Sequence, residues 1–248
     1  MYALYKHNKH AWDNTLDMAY GLVSTTSLGT RKSDDRIDLL SKYGYEVGKQ
    51  YSLTGLFNFR SQFSRGYAYL DENTKLLTSN FAAPAYVLFS LGVDQKVTPD
   101  LSIFLSPATF RWVIVNNDSL ARVAAFGVDS GRHSRLEFGA FSSVKYQKAF
   151  NKTTSYRTRL DLFSNYIRRP QDINIYWTNV FSVKAFKLIS INISLDMIYD
   201  NDIKSVKSDG SAGGPVLQIK EVLGIGLAYE FSNKYKYRRK QPSEKAPE

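Results

Sequence analysis

The sequence predicts an all-β protein, an antiparallel up-and-down barrel of about ten strands, on the basis of three observations. Large apolar side chains alternate with polar ones through most of the 248 residues, as they do in strands with one apolar face. Many of these segments are about 10 to 14 residues long, against about 5 or 6 for strands of soluble domains. The connections alternate between short and long, which is typical of barrels that run up and down.

The first half of the chain establishes the pattern. In DNTLDMAYGL (13–22) every second residue from Leu16 to Leu22 is apolar. The segment YSLTGLFNFRSQF (51–63) repeats this alternation, with Ser, Thr, Asn, Arg and Gln on its other face. Three further segments follow the same period less cleanly, and we also predict them to be strands: 34–45, 80–93 and 101–115.

The second half alternates more regularly. In ISINISLDMIY (189–199) Ile, Leu, Met and Tyr take the odd positions, and Ser, Asn and Asp take most even ones. No stretch has the 3.6-residue apolar stripe of an amphipathic helix. We therefore predict five more strands here: 135–146, 156–166, 173–184, 189–199 and 217–231.

Composition narrows the function classes. The chain has 33 Lys and Arg against 23 Asp and Glu, a formal net charge of +10, and no cysteine. Disulfides and thiolate metal sites are therefore impossible. We find no Gly-rich phosphate loop and no recognition-helix pattern, so nucleic acid is not an expected partner. No cofactor is expected.

Strand length and loop parity favour a transmembrane barrel. A tilted strand needs about 9 to 11 residues to cross a bilayer, and the predicted strands match that length. The loops at 64–79, 116–133 and 200–215 are long, and they alternate with short turns at 44–50 and 94–100. This parity places both chain ends on the short-turn side.

In a membrane barrel the apolar face meets lipid and the polar face lines the lumen. A soluble barrel that binds an apolar ligand inside is the alternative, because periodicity does not tell inside from outside.

The C-terminal strand resembles a known signal. In GIGLAYEF, Gly226, Tyr229 and Phe231 are similar to the C-terminal assembly signal of outer-membrane barrels. Gly224 departs from that pattern, and the chain continues to residue 248. We divide the chain into an outer-membrane β-barrel domain at 1–232 and a basic periplasmic tail at 233–248.

Blocks along nearly the whole chain resemble the Bacteroidota-type outer-membrane barrel proteins of unknown function. The matching blocks, in order, are WDNTLDMAYG, KSDDRIDLLSKYGY, SNFAAPAY, AAFGV, LDLFSNY, IYDNDI and IKEVLGIGLAYEF. The resemblance implies a longer protein of about twelve strands with a signal peptide, of which YALYKH (2–7) is the remainder of one strand. It also implies the cell outer membrane of a Gram-negative bacterium. The implied partners are outer-membrane lipid and lipopolysaccharide, the barrel-assembly machinery and, as an open alternative, other envelope proteins.

If the apolar face meets lipid, charged side chains of both signs point into the lumen. We predict either a plug of paired charges or a narrow pore that favours anions, in a non-enzymatic structural or accessory component or a channel. Barrel dimensions favour the plug, because side chains nearly fill so narrow an interior. The candidate lumen charges are Arg60, Arg135, Glu137, Arg157, Arg159, Asp161, Lys184, Asp196 and Lys220.

Sites of other kinds have weaker support. His133 and Ser134 are the only candidates for the alternative of a membrane-embedded hydrolase of lipid or peptide, and adjacency alone does not make a triad. Asp200 and Asp202 fit an Asx-turn better than a cation site. We interpret two further groups as solvated: the chain-end histidines His7 and His10, and a loop edge formed by Arg31, Lys32, Asp34, Asp35 and Arg36.

Overall fold

The computed structural model describes residues 1–26, 29–69, 74–186, 189–207, 209 and 211–227. Strands form most of this part of the chain. In chain order they are β1 (Tyr2–His7), β2 (His10–Thr25), β3 (Gly29–Glu46), β4 (Tyr51–Ser61), β5 (Gly66–Tyr69), β6 (Lys75–Ser79), β7 (Ala85–Lys96), β8 (Leu101–Ile114), β9 (Ser134–Ala149), β10 (Thr154–Asn165), β11 (Ile173–Lys184), β12 (Ile189–Tyr199), β13 (Lys204–Val206), β14 (Ala212–Pro215) and β15 (Gln218–Leu227).

Eleven of these strands form one antiparallel sheet in the order β1-β2-β3-β4-β7-β8-β9-β10-β11-β12-β15. Each strand pairs with the next one along the chain that belongs to the sheet, which confirms the predicted all-β, up-and-down class. Each of the ten predicted segments overlaps one strand of this sheet, and β1 (Tyr2–His7) is the eleventh. The last described strand ends at Leu227, so Tyr229, Phe231 and the tail at 233–248 lie outside the described residues.

The connections alternate between two edges of the sheet. Those at 8–9, 47–50 and 97–100 are short and define the short-turn edge. The opposite, long-loop edge carries small hairpins, β5–β6 and β13–β14, inside two of its connections. Its connection at 115–133 holds the helix α1 (Asp118–Arg122) and a 3₁₀ turn at Ala125–Gly127. Structured elements therefore occupy three segments that the sequence predicted only as loops.

Strand β1 changes the predicted position of the N-terminus. Tyr2 pairs with Thr15 in the middle of β2, and the Met1 backbone oxygen accepts a hydrogen bond from the Leu16 N–H at 2.9 Å. The prediction that both chain ends lie on the short-turn side was wrong for the N-terminus. The loop parity was counted without the strand remainder at 2–7, whereas β1 forms there, precedes 13–22 and reverses the direction of the chain.

Strand β8 (Leu101–Ile114) explains why its segment alternates poorly. The pairing of β8 with β7 shifts register between Leu91 and Val93 of β7. Its pairing with β9 shifts between Ser106 and Thr109 of β8. Pro107 lies at this bulge, where its missing N–H costs no ladder hydrogen bond. The bulge adds a residue, so the apolar face moves from odd positions before it to even positions after it.

The sheet curls until its two ends approach each other. Arg36 of β3 lies 2.7 Å from Asp196 of β12, and Lys220 of β15 pairs with Asp34 of β3. Both pairs join opposite ends of the strand order, which requires a barrel-like curl. Among the described residues, the hydrogen-bonded order starts at β1 and ends at β15 without backbone bonds between these two strands. We call the gap between them the seam.

The curl places the charged face inside and the apolar face outside. Leu91, Leu136 and Ile225 are 70%, 63% and 74% exposed. Glu137 and Asp161, by contrast, are 2% and 3% exposed. Soluble proteins bury large apolar side chains and expose charged ones, so this distribution is inverted. Among the described residues no helix has the length and apolarity needed to cross a membrane.

Candidate functional site

The interior holds a cluster of four charged side chains at mid-height, which we call the central cluster: Asp38, Arg60, Arg159 and Asp161. They extend from β3, β4 and β10. The Arg159 Nη1 lies 3.2 Å from the Asp38 Oδ2, and its Nε lies 2.9 Å from the Asp161 Oδ2. Arg60 contacts Asp38 at 3.3 Å and also pairs with Asp161. Two cations and two carboxylates balance, so the cluster carries no net charge.

Neutral side chains complete the central cluster. The Asn58 amide donates to Asp38 at 2.6 Å, and the Ser143 hydroxyl donates to Asp161 at 2.6 Å. The Arg60 guanidinium lies 3.8 Å from the centre of the Tyr176 ring. A buried ion pair is tolerated only when further hydrogen bonds satisfy its atoms. This arrangement meets that condition and links β3, β4, β9, β10 and β11 across the interior.

An apolar cluster lies beside the central cluster and narrows the interior further. Its buried members are Leu56, Leu88, Phe104, Phe141 and Phe163. They extend inward from β4, β7, β8, β9 and β10, on the side of the sheet away from the seam. Phe104 and Phe141 contact each other with ring centres 6.2 Å apart. This part of the interior is therefore filled by packed side chains.

A second charged group lies at the long-loop edge, and we call it the rim cluster: Arg111, Arg135, Glu137, Asp200 and Asp202. Arg111 pairs with Glu137 and lies 3.4 Å from Asp200. Arg135 pairs with Glu137 and Asp202. Burial raises the pKa of the Asp200 carboxyl above its ordinary value, and the Arg111 guanidinium opposes this shift. The cluster ties β8 and β9 to the connection that follows β12.

The connection at 115–133 covers the rim cluster, and we call it the cap. The Asn117 side chain accepts a hydrogen bond from the Leu120 N–H at 3.1 Å and starts α1. Leu120 and Val128 pack into a buried apolar group with Val113. Arg135 donates to the Gly127 carbonyl, which joins cap to rim cluster. Gly127 has φ +75°, and a Cβ there would lie 2.5 Å from Asp202, so only glycine suits this contact.

Further inward charges lie nearer the seam or the short-turn edge. Asp196 pairs with Arg36, and Lys220 pairs with Asp34. Lys42 binds Asp94 at 2.8 Å. Arg157 lies 3.7 Å from Asp17, with both side chains partly exposed. Lys184 is exposed at the end of β11.

The structure brings five of the nine candidate lumen charges into the two clusters. Arg60, Arg159 and Asp161 meet in the central cluster, and Arg135 and Glu137 in the rim cluster. The other four are separate, and they are Arg157, Lys184, Asp196 and Lys220.

Arg111 was missed as a site residue because it follows the bulge in β8, where the alternation changes parity. Asp200 and Asp202 lie in a loop, and their contacts with arginine could not be read from local sequence. The Asp202 N–H donates to the Asp200 Oδ1 at 2.9 Å, which is the Asx-turn that the sequence favoured. Arginines occupy both carboxylates, so these two residues do not form an open cation site.

The interpretation of 31–36 as a solvated loop edge was wrong. Asp35 is 3% exposed and accepts hydrogen bonds from Lys32 and from the Phe63 and Ser64 N–H groups. Asp34 and Arg36 form ion pairs across the seam side of the interior. The segment belongs to β3, and Asp34, Asp35 and Arg36 also contact residues distant in sequence, which composition could not reveal.

His133 does not form a catalytic arrangement with Ser134. Its Nδ1 lies 3.0 Å from the Val115 carbonyl oxygen, and its Nε2 lies 3.3 Å from Asp118. Both ring nitrogens are therefore engaged elsewhere. His10 bonds the Tyr43 hydroxyl at 2.6 Å at the exposed short-turn edge. Within the described residues, no group of three or more His, Cys, Asp or Glu could hold a metal ion.

Comparison with known proteins gives a family match and a structural likeness. Residues 1–67 match a family model described as "Protein of unknown function (DUF3078)". No curated protein matches the chain. Among solved structures, the chain is similar to one titled "NanC porin structure in rhombohedral crystal form", with 8% identity and a TM-score of 0.41. The likeness covers 89% of this chain and 93% of that one. The TM-score is too low for this likeness to bear on function.

Proposed function

We propose that this protein is a β-barrel of the Gram-negative outer membrane whose interior is closed by ion pairs, with a structural or accessory role. The inverted distribution of side chains carries the proposal. Leucine, isoleucine and aromatic side chains cover the outside, while arginine and aspartate are buried within. Lipid favours an apolar exterior, and antiparallel pairing satisfies the backbone hydrogen bonds of the strands between β1 and β15, which lipid cannot do.

Three layers support a closed interior rather than a pore. The central cluster is charge-balanced and hydrogen-bonded, the apolar cluster fills the side away from the seam, and the cap covers the rim cluster. An ion passing through would have to separate buried pairs. Leaving a buried charge without its partner is unfavourable, at about 3 to 5 kcal/mol when the partner is removed by mutation, and this cost opposes the separation. A narrow anion-favouring pore would need arginines without partners, and both arginines of the central cluster are bound.

The proposal extends to an absence of enzymatic activity and to the partners that a membrane barrel needs. Those partners are outer-membrane lipid, lipopolysaccharide and the barrel-assembly machinery. The two engaged nitrogens of His133 support a role in contacts within the cap, to Val115 and Asp118, rather than in hydrolysis.

Two measurements test the proposal. Membrane fractionation followed by gel electrophoresis with and without boiling should recover the protein in the outer membrane and show a shift in mobility. Recovery in the soluble fraction without detergent, with no shift, would contradict membrane insertion. Planar-bilayer recording should then show no stable conductance steps for the refolded chain. Steady anion-selective steps would overturn the closed interior while leaving the membrane location intact.

A further inference from the structure

A cavity of about 700 Å³ lies at the long-loop edge, where β3, the β5–β6 hairpin and β15 meet. This volume is within the range of about 300 to 1,000 Å³ that small-molecule sites occupy. We propose that this cavity, the edge pocket, binds a phosphorylated saccharide. The residues that carry the argument are Lys32, Arg65, Lys75, Lys220, Tyr67 and Tyr69. The inference goes beyond the closed-barrel function and does not require it, because the pocket lies outside the central cluster.

The two carboxylates in the pocket wall already have partners. Asp35 accepts from the Lys32 ammonium at 2.8 Å, from the Phe63 N–H at 2.6 Å and from the Ser64 N–H at 2.9 Å. Asp34 pairs with Lys220. Neither carboxylate therefore presents an unbalanced negative charge to a ligand. Asp35 instead holds the Lys32 ammonium in the pocket wall.

The pocket wall has an excess of positive charge. Among the residues that the structure describes, it holds four cations, Lys32, Arg65, Lys75 and Lys220, against the two carboxylates, a difference of +2. Within the part of the chain that the structure describes, Arg65 and Lys75 have no carboxylate partner. A phosphate monoester carries about −1.5 to −2 at neutral pH, which matches this excess. Arginine and lysine are also the side chains that bind phosphate best.

Aromatic rings and hydroxyls make up most of the remaining wall. Tyr67 and Tyr69 extend from β5. The Lys75 ammonium lies 4.8 Å from the Tyr67 ring centre, and the Arg31 guanidinium lies 3.8 Å from the Tyr69 ring centre, so a cation covers one face of each ring. Thr30, Thr78 and Ser79 supply hydroxyl groups. Aromatic faces pack against apolar groups, and hydroxyls both donate and accept hydrogen bonds. A sugar ring presents C–H faces and hydroxyls together, so it fits this wall better than a bare phosphate ion.

Two sources offer a phosphorylated saccharide at this edge. One is the headgroup of a glycolipid in the same membrane, such as lipopolysaccharide. The other is a free phosphorylated sugar in the surrounding medium. Both present the same phosphate and sugar groups to the pocket. They differ because only the glycolipid carries acyl chains.

Calorimetric titration of the full-length chain, refolded in uncharged detergent, tests the proposal. The probe is a phosphorylated glucosamine disaccharide without acyl chains. The unphosphorylated disaccharide and inorganic phosphate are tested separately. We expect the phosphorylated disaccharide to bind at least 10-fold more tightly than either. No binding of this probe, or equal affinity for inorganic phosphate, would overturn the proposal. If acylation raises the affinity a further 10-fold, the source is the membrane glycolipid, and unchanged affinity indicates a free sugar.

Substitutions locate the binding in the edge pocket. Arg65→Gln combined with Lys75→Gln should weaken binding of the phosphorylated disaccharide at least 10-fold, because these side chains supply the excess charge. Lys152→Gln is the matched control, since Lys152 is exposed in the turn at 150–153 on the opposite edge. The mobility shift on boiling should be retained in all variants, which shows that they fold. Equal affinity in the double variant and the wild type would place the binding elsewhere and overturn the assignment.

Discussion

At the scale of the residue, Arg159 shows how one inward side chain organises the interior. Its guanidinium contacts Asp161 on its own strand and Asp38 on β3, across the interior. Asp161 in turn binds Arg60 and accepts a hydrogen bond from Ser143. Both carboxylates are buried, both arginines are partly buried, and each charge has a partner of opposite sign. The closed interior therefore depends on individual side chains. The loss of one carboxylate leaves two arginines with one ion-pair partner fewer.

The substitution Asp161→Asn tests this dependence. We expect it to lower the free energy of unfolding by about 3 to 5 kcal/mol, because it leaves a buried arginine charge uncompensated. Urea titration of the refolded chain in detergent measures the change. Asp209→Asn, at an exposed loop position, is the matched control and should change stability little. Equal unfolding midpoints for both variants would show that the central cluster does not stabilise the fold.

At the scale of the element, β7 and β8 meet where the bulge of β8 brings the two backbones close. Gly92 lies opposite that bulge, and a Cβ there would lie 2.1 Å from the Leu105 carbonyl oxygen. The Ser106 hydroxyl donates to the Leu91 carbonyl at 2.8 Å and fixes the irregular pairing. Neither side of this contact can move without breaking the ladder. The apolar and polar side chains of β8 alternate poorly in sequence. This strand is held by a close backbone contact that only glycine at the facing position allows.

Replacing Gly92 by alanine tests the close approach. We expect the free energy of unfolding to fall by about 1 to 3 kcal/mol, the usual cost of overpacking. The refolded fraction, read from the mobility shift on boiling, should fall with it. Gly55→Ala on β4 is the control, because its nearest neighbour is the end of the Leu91 side chain at 3.7 Å. A loss of the same size in both variants would indicate a general effect of removing glycine.

The C-terminal strand carries a second prediction at this scale. Phe231 lies outside the described residues, and its proposed role in assembly rests on the GIGLAYEF pattern alone. Phe231→Ser should lower the amount of barrel in the outer membrane several-fold, because a polar side chain would replace the terminal aromatic residue of the signal. Tyr237→Ser, in the tail, is the control. Quantitative immunoblots of membrane fractions measure the difference, and normal assembly of the Phe231 variant would remove the signal function.

At the scale of the whole molecule, ion pairs join the two ends of the sheet across the seam. Asp34 and Lys220 are at opposite ends of the strand order and yet form a pair. Arg36 and Asp196 make a second link 2.7 Å long. The curl therefore does not depend only on backbone pairing along the sheet. Side-chain contacts through the interior also hold it.

A double-mutant cycle on Asp34 and Lys220 tests the curl in solution. The single changes are Asp34→Asn and Lys220→Gln, and the coupling energy follows from the four unfolding free energies. We expect a coupling of about 0.5 to 3 kcal/mol, the range for residues in direct contact. The control cycle pairs Asp34→Asn with Lys152→Gln and should be additive. Additivity in both cycles would mean that the ends of the sheet are apart.

The alternation of side chains was enough to predict most elements. It identified ten strands of the sheet, and YALYKH was identified as part of a further strand only through a family resemblance. The alternation failed as a guide where a register shift moved the outward-facing side chains from odd to even positions, as around Pro107 and Arg111 in β8. Loop length indicated which edge carries the long connections. It could not predict α1 or the two hairpins, because these short elements are stabilised by contacts with the rest of the molecule.

The all-β class, the up-and-down order and the existence of two chemically different faces could be read from the residues alone, because strand periodicity is a local property. Which face lies inside could be read only from the folded molecule, because the sign of the curl depends on contacts between strands far apart in sequence. The folded molecule also determines which charged side chains form ion pairs. The sequence places Asp38 and Arg159 on polar faces, but their 3.2 Å contact exists because the interior is narrow enough for β3 and β10 to face each other.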